Sequence, residues 1–145
     1  WVLKGQAPTI AGGWIRDGAY QVVASDGRML GVAENRDLKS PAVLTRDSGA
    51  LENLIWFYHL GNNEYRMIKL NAGLPFEGGA SSVFINWDSE ADTQRWLLRK
   101  EGAKLMIIHK ASGEALDWEG DRIMTRPRNS SSASPLWSLV GEATI

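Results

Sequence analysis

Two stretches of this chain place an acid close to an aromatic ring and to further hydrogen-bonding groups. One is Gly113-Glu114-Ala115-Leu116-Asp117-Trp118, with Arg126 and Asn129 downstream; the other is Glu77, followed by Asn86-Trp87. A carboxylate accepts strong hydrogen bonds from two neighbouring hydroxyls, and a ring covers an apolar C–H face. Covalent chemistry is not expected. His59 and His109 have no Ser or Cys beside them and no metal-ligand spacing, and the pairs Glu90/Asp92 and Glu119/Asp121 sit in turns, where solvated acids are the default. No catalytic residue, metal or cofactor is therefore assigned.

These residues must be held by a fold that the composition narrows. The chain has 145 residues, one domain's worth, with 15 Gly, 7 Trp and no long apolar periodicity, which points to short strands joined by tight turns. Zero Cys removes disulfide and thiolate chemistry and fits a reducing, cytoplasmic compartment. Sixteen basic against 17 acidic residues leave a net charge of −1, with no positive field to hold a phosphate backbone, so nucleic acid is not an expected partner. No apolar run is long enough to span a bilayer, so membrane insertion is not expected, and Trp1-Val2-Leu3-Lys4 lacks the apolar segment of a signal peptide.

A repeat organises the chain. Leu54-Ile55-Trp56, Gln94-Arg95-Trp96 and Pro135-Leu136-Trp137 put Trp 40 and 41 residues apart (56 to 96, 96 to 137). Upstream of each lies a strand-like run ending at Arg46, Trp87 or Arg126, and further upstream another beginning at Tyr20, Tyr65 or Leu105. Each of the latter is followed by a polar turn and a Leu: Leu30, Leu74 and Leu116. The expected architecture is a single all-β domain over residues 1–145, with an N-terminal extension (1–16) and repeats at about 17–61, 62–102 and 103–145. Each repeat has four strands, and three of them pool their apolar faces in a closed barrel with threefold pseudosymmetry. Trp56, Trp96 and Trp137 should meet in its core. The stretch from Ser89 to Arg95 reads as a loop with at most one helical turn.

The triplication with Gln94-Arg95-Trp96 resembles the ricin B-type β-trefoil, whose repeats carry a Gln-x-Trp signature, over about residues 17–142. Within that group a Cys-free single trefoil is similar to mushroom lectins and to the related β-trefoil protease inhibitors. The resemblance implies binding of galactose- or N-acetylgalactosamine-type glycans, with a carboxylate after the second strand of a repeat, an aromatic ring near the end of the third and an amide near the motif. In the third repeat these are Asp117, then Trp118 or the aliphatic part of Arg126, then Asn129. In the second they are Trp87 and Asn86, with Pro75 at the carboxylate position and Glu77 two residues late. In the first, Gly31 takes the carboxylate position and only Asn53 remains. The repeats therefore rank third, second, first.

The plainer alternatives are a turn cap for Asp117, rings packed on the barrel wall for Trp87 and Trp118, and a paired surface charge for Arg126. The functional rival is a protease inhibitor acting through the loops 34–42, 73–82 and 127–135, for which Asp117 would be dispensable. A shallow sugar site binds with Kd ~1 mM, about −4 kcal/mol, so useful avidity calls for several sites or a homodimer on glycans or glycoproteins.

Overall fold

The computed structural model defines residues 5–6, 15–33, 38–46, 53–128 and 135–141. Runs that alternate apolar and polar residues form strands because successive side chains point to opposite faces. In Glu64–Lys69, Tyr65, Met67 and Lys69 are buried while Glu64, Arg66 and Ile68 are partly exposed. The early strands are β1 (Gly5–Gln6), β2 (Gly18–Val23), β3 (Met29–Val32), β4 (Ala42–Thr45) and β5 (Ile55–Gly61). Then come β6 (Glu64–Lys69), β7 (Leu74–Gly79), β8 (Ser82–Ile85) and β9 (Trp96–Glu101). The last are β10 (Lys104–His109), β11 (Ala115–Glu119), β12 (Arg122–Arg126) and β13 (Ser138–Gly141). Among the described residues the one helical element is a 3₁₀ turn, Asp92–Gln94, inside the stretch read as a loop. The stretch 73–82, expected as a loop, is largely strand β7.

All strand pairings are antiparallel, and they run in a closed circuit. β2 pairs with β5, β5 with β6, β6 with β9 and β9 with β10; a bridge between Leu105 and Trp137 leads to β13, which pairs with β2. Closure leaves this circuit without the free edges that an open sheet exposes. The hairpins β3–β4, β7–β8 and β11–β12 are joined to one another through Arg122 with Val43, Met124 with Ser82, and Pro41 with Phe84. β1 adds to β13 through Gly5 with Gly141, so part of the expected extension belongs to the sheet.

The same register recurs three times. Tyr20 pairs with Ile55, Tyr65 with Trp96, and Leu105 with Trp137. The residue equivalent to Trp96 and Trp137 in the first repeat is therefore Ile55, and the spacing becomes 41 and 41 (55 to 96, 96 to 137). Trp96 and Trp137 are fully buried in the main core, whereas Trp56 is 37% exposed, which corrects the expectation that three tryptophans meet there. The register of β5 against β6 shifts between His59 and Gly61, and a one-residue slip turns a side chain to the opposite face of a sheet. By the same count, Asn53 rather than Leu54 corresponds to Gln94.

Buried indole N–H groups need acceptors, and they find them on the hairpins. Trp96 Nε1 donates to the Phe76 carbonyl at 3.2 Å, and Trp137 Nε1 to that of Leu116 at 3.0 Å. Tyr20, Phe57 and Tyr65 pack edge to face in the same core. His109 is buried against Trp96, its Nε2 2.9 Å from the Thr93 carbonyl and its Nδ1 2.8 Å from Ser112 Oγ. The sequence reading put no Ser beside this histidine; the turn at Ser112-Gly113 brings one there and completes its hydrogen bonds.

Trp96→Ala and Trp137→Ala should each cost about 3–5 kcal/mol in urea denaturation, and Trp56→Ala less than about 1 kcal/mol. A second expectation concerns alkali. Burial pushes the Tyr65 hydroxyl, which donates to the Ile15 carbonyl at 2.7 Å, up to about 12 from its ordinary 10.0. The folded state thus holds its phenolic proton more tightly than the unfolded chain, so stability is unaffected below pH 10 and falls as pH rises from 10 towards 12. Denaturation midpoints for wild type and Tyr65→Phe across that range check this, the variant losing less with pH.

Candidate functional site

The indole hydrogen bonds fix which residue of each hairpin faces away from the core. Phe76 and Leu116 are both fully buried acceptors, and both lie seven residues after the barrel residues that pair toward Ile55 and Trp96 (69 to 76, 109 to 116). Pro75 pairs with Ile68 as Ala115 pairs with Ile108, and Glu77 pairs with Phe84 as Asp117 pairs with Met124. Glu77 is therefore in register with Asp117. It does not lie two residues late, and Pro75 corresponds to Ala115. The sequence aligned the wrong apolar residue, Leu74, because Phe76 fills the Leu116 position.

In the second repeat the expected groups come together around Gln94. This side chain is fully buried, and its Nε2 donates to Glu77 Oε1 at 2.8 Å and to the Trp87 carbonyl; its Oε1 accepts from the Ser89 amide at 2.9 Å. Asn86 Nδ2 also donates to Glu77 Oε1, at 3.3 Å. Both amides thus converge on one carboxylate oxygen, and among the described residues Oε2 accepts no hydrogen bond. Glu77 and Asn86 are half-buried, while the neighbouring Trp87 is 67% exposed.

So exposed a ring ordinarily sits on a mobile loop, but this loop is tied down repeatedly. Arg66 Nη2 lies 2.5 Å from Asp88 Oδ1, which also accepts from the Glu90 amide at 3.2 Å. The Arg66 guanidinium holds the Asp88 carboxyl below its usual value of 3.8, so this pairing is complete at neutral pH. Arg95 Nη2 reaches the Glu90 carbonyl at 3.4 Å, and Glu90 itself takes a positive φ of 58°. Sequence reasoning missed Arg66, Asp88 and Ser89; only the place of Gln94 two residues before a buried Trp pointed to this loop.

The third repeat is arranged differently. Asp117 Oδ1 accepts from the Trp118 amide at 2.7 Å, and its Oδ2 lies 3.5 Å from Arg126 Nε. Arg126 also reaches Glu119 Oε2 at 2.9 Å and the Trp118 carbonyl at 3.4 Å. The Trp118 ring stands T-shaped to buried Trp137, with centroids 4.9 Å apart, and is half-buried where Trp87 is exposed. Pro135 occupies the position of Gln94 and has no amide to offer. Asn129, the expected amide, lies outside the described residues. In the first repeat a Cβ on Gly31 would stand 2.9 Å from Oδ1 of buried Asn53, so that amide fills the space at the carboxylate position. Among the described residues no group of three or more metal-ligating side chains occurs, and no helix is long and apolar enough to cross a membrane.

The designed threefold-symmetric protein ThreeFoil matches with a TM-score of 0.76 at 22% identity, over 86% of this chain and 99% of that one. The fold is a β-trefoil. A Polyporus squamosus lectin, bound to the epitope Neu5Acα2-6Galβ1-4GlcNAc, matches this trefoil with a TM-score of 0.74 at 15% identity, over 85% of this chain. The exo-β-1,3-galactanase 1,3Gal43A of Clostridium thermocellum does so at 0.75 and 17%, again over 85%. The trefoil spans 48% of that lectin chain and 30% of the galactanase chain. No protein-family model and no curated protein matches the chain.

Gln94→Ala should destabilise the trefoil by about 1–3 kcal/mol, because the Ser89 amide and the Trp87 carbonyl lose a buried partner. Urea denaturation together with faster amide exchange at Ser89 is the expected result.

Proposed function

We propose that this chain is a carbohydrate-binding trefoil that recognises galactose- or N-acetylgalactosamine-type glycans, and that its principal site is in the second repeat. The observation that carries this reading is the exposed Trp87 ring, held on a pinned loop beside a carboxylate with one oxygen left free. Glu77 Oε2 accepts from a pair of sugar hydroxyls, Asn86 supplies further polar contacts, and Trp87 covers the apolar C–H face. Since the carboxylate already takes two amide donors, it is oriented before the sugar arrives, which lowers the ordering cost of binding.

The uncompensated oxygen of Glu77 favours a neutral sugar over an anionic one, which is why galactose rather than a sialic acid carboxylate is the preferred occupant. The lectin and galactanase likenesses support glycan binding as the general class. A single shallow site of this kind implies weak affinity, Kd ~1 mM, and so use as a homodimer or alongside other binding units. We read β2–β5, β6–β9 and β10–β13 as three four-stranded repeats of a ricin B-type trefoil. In that reading Asp117, Trp118, Arg126 and Asn129 form a degenerate third site whose carboxylate is taken up by Arg126.

A glycan array and titration with galactose test this. Glu77→Gln and Trp87→Ala should each weaken binding at least tenfold, whereas Asp117→Ala should leave it within about twofold, roughly 0.4 kcal/mol. Loss of binding in Asp117→Ala alone would return the site to the third repeat, and absence of glycan binding in the wild type would remove the lectin reading.

A further inference from the structure

The outer face of β5 carries Trp56 and Tyr58 two positions apart, 37% and 49% exposed, and Leu60, 37% exposed, follows at the register shift. β5 is an inner strand, paired with β2 on one side and β6 on the other, so it offers a side-chain surface and no free backbone edge. Strand addition by a peptide is thus closed to it. The stripe also connects to the second-repeat site. Tyr58 lies directly across from Arg66, paired positions share a face, and Arg66 holds Asp88, the residue next to Trp87.

We propose that this face is a second subsite of the same glycan-binding site, with Tyr58 the platform for sugar units beyond the one held at Trp87. The inference rests on the function proposed above and adds to it that the natural ligand is a neutral oligosaccharide longer than one unit. Two aromatic surfaces separated by an ion pair match a chain whose C–H faces and hydroxyl edges alternate. Arg66 and Asp88 neutralise each other, so the path between the platforms favours no charged ligand. Three partly exposed side chains are far too little for a stable protein interface, which buries roughly 800 Å² on each partner, but they are enough for one or two sugar rings.

The test uses calorimetric or ligand-observed NMR titration of galactose, β-1,3-galactobiose and β-1,3-galactotriose into the wild type, Tyr58→Thr and Trp87→Ala. Threonine keeps strand preference at an exposed position, and circular dichroism checks the fold. Affinity should rise at least tenfold from mono- to trisaccharide in the wild type. Tyr58→Thr should remove that gain and leave the affinity for galactose unchanged. Galactose binding that is lost in Trp87→Ala but does not grow with chain length would overturn the subsite while sparing the main site. A gain that persists in Tyr58→Thr would overturn it too, as would a dimer that Tyr58→Thr converts to monomer in sedimentation without changing the titrations. No binding of any of the three sugars would remove both readings.

Discussion

The indole N–H of a buried tryptophan cannot be left without an acceptor, and this requirement ties the hairpins of the trefoil to its barrel. Trp96 and Trp137 each donate to the carbonyl of a fully buried hairpin residue, Phe76 or Leu116. An unpaired buried donor costs about 1–3 kcal/mol, so the hairpin cannot slide by a residue without losing both that bond and the burial of Phe76 or Leu116. A fixed register has a consequence one residue further on. The next side chain must emerge on the opposite face, and it is Glu77 in one repeat and Asp117 in another.

The three repeats then differ in what surrounds one backbone position. Around Glu77 the buried amide of Gln94 holds both the carboxylate and the loop that carries Trp87, so acid and loop backbone are fixed by a single side chain. Around Asp117 that amide is missing, because Pro135 stands in its place, and the carboxylate turns to Arg126. At Gly31 there is no acid, and Asn53 closes onto the backbone. One fold thus yields an open site, a charge-paired site and a filled one, and the substitutions responsible lie beside the tryptophan motif as well as at the carboxylate.

The strands and their threefold recurrence were legible because β-branched and aromatic runs, turns and a period near 40 residues are local features of the chain. Register was not. Trp56 stands in the right place by identity yet faces outward, since the irregularity between His59 and Gly61 shifts β5 by a residue and gives its core position to Ile55. Glu77 looked misplaced because leucine was taken as the marker, whereas the core accepts Phe76 in that role. The second error has its own physical source, that a core position selects for apolar volume and not for residue identity. The Arg66–Asp88 pair could not be seen, because it joins residues 22 apart (66 to 88), and the bond from the Ser89 amide to Gln94, five residues on, depends on how the loop folds back on itself.

A shallow site gains little from area, so its affinity depends on how much order it already has. Trp87 would lose rotamer and loop freedom on binding if it were free, at about 0.5–1.5 kcal/mol for each ordered side chain. Against a total near −4 kcal/mol for millimolar binding, that cost is a large fraction. Here the loop's share of it is met during folding, through the bonds from Gln94, Arg66 and Arg95 to the loop. The positive φ of Glu90 is one sign of that constraint, being a conformation a non-glycine residue keeps only where its surroundings enforce it. The buried network beneath Trp87 therefore belongs to the proposed binding site as much as the ring above it, because it holds the loop in place before any ligand arrives.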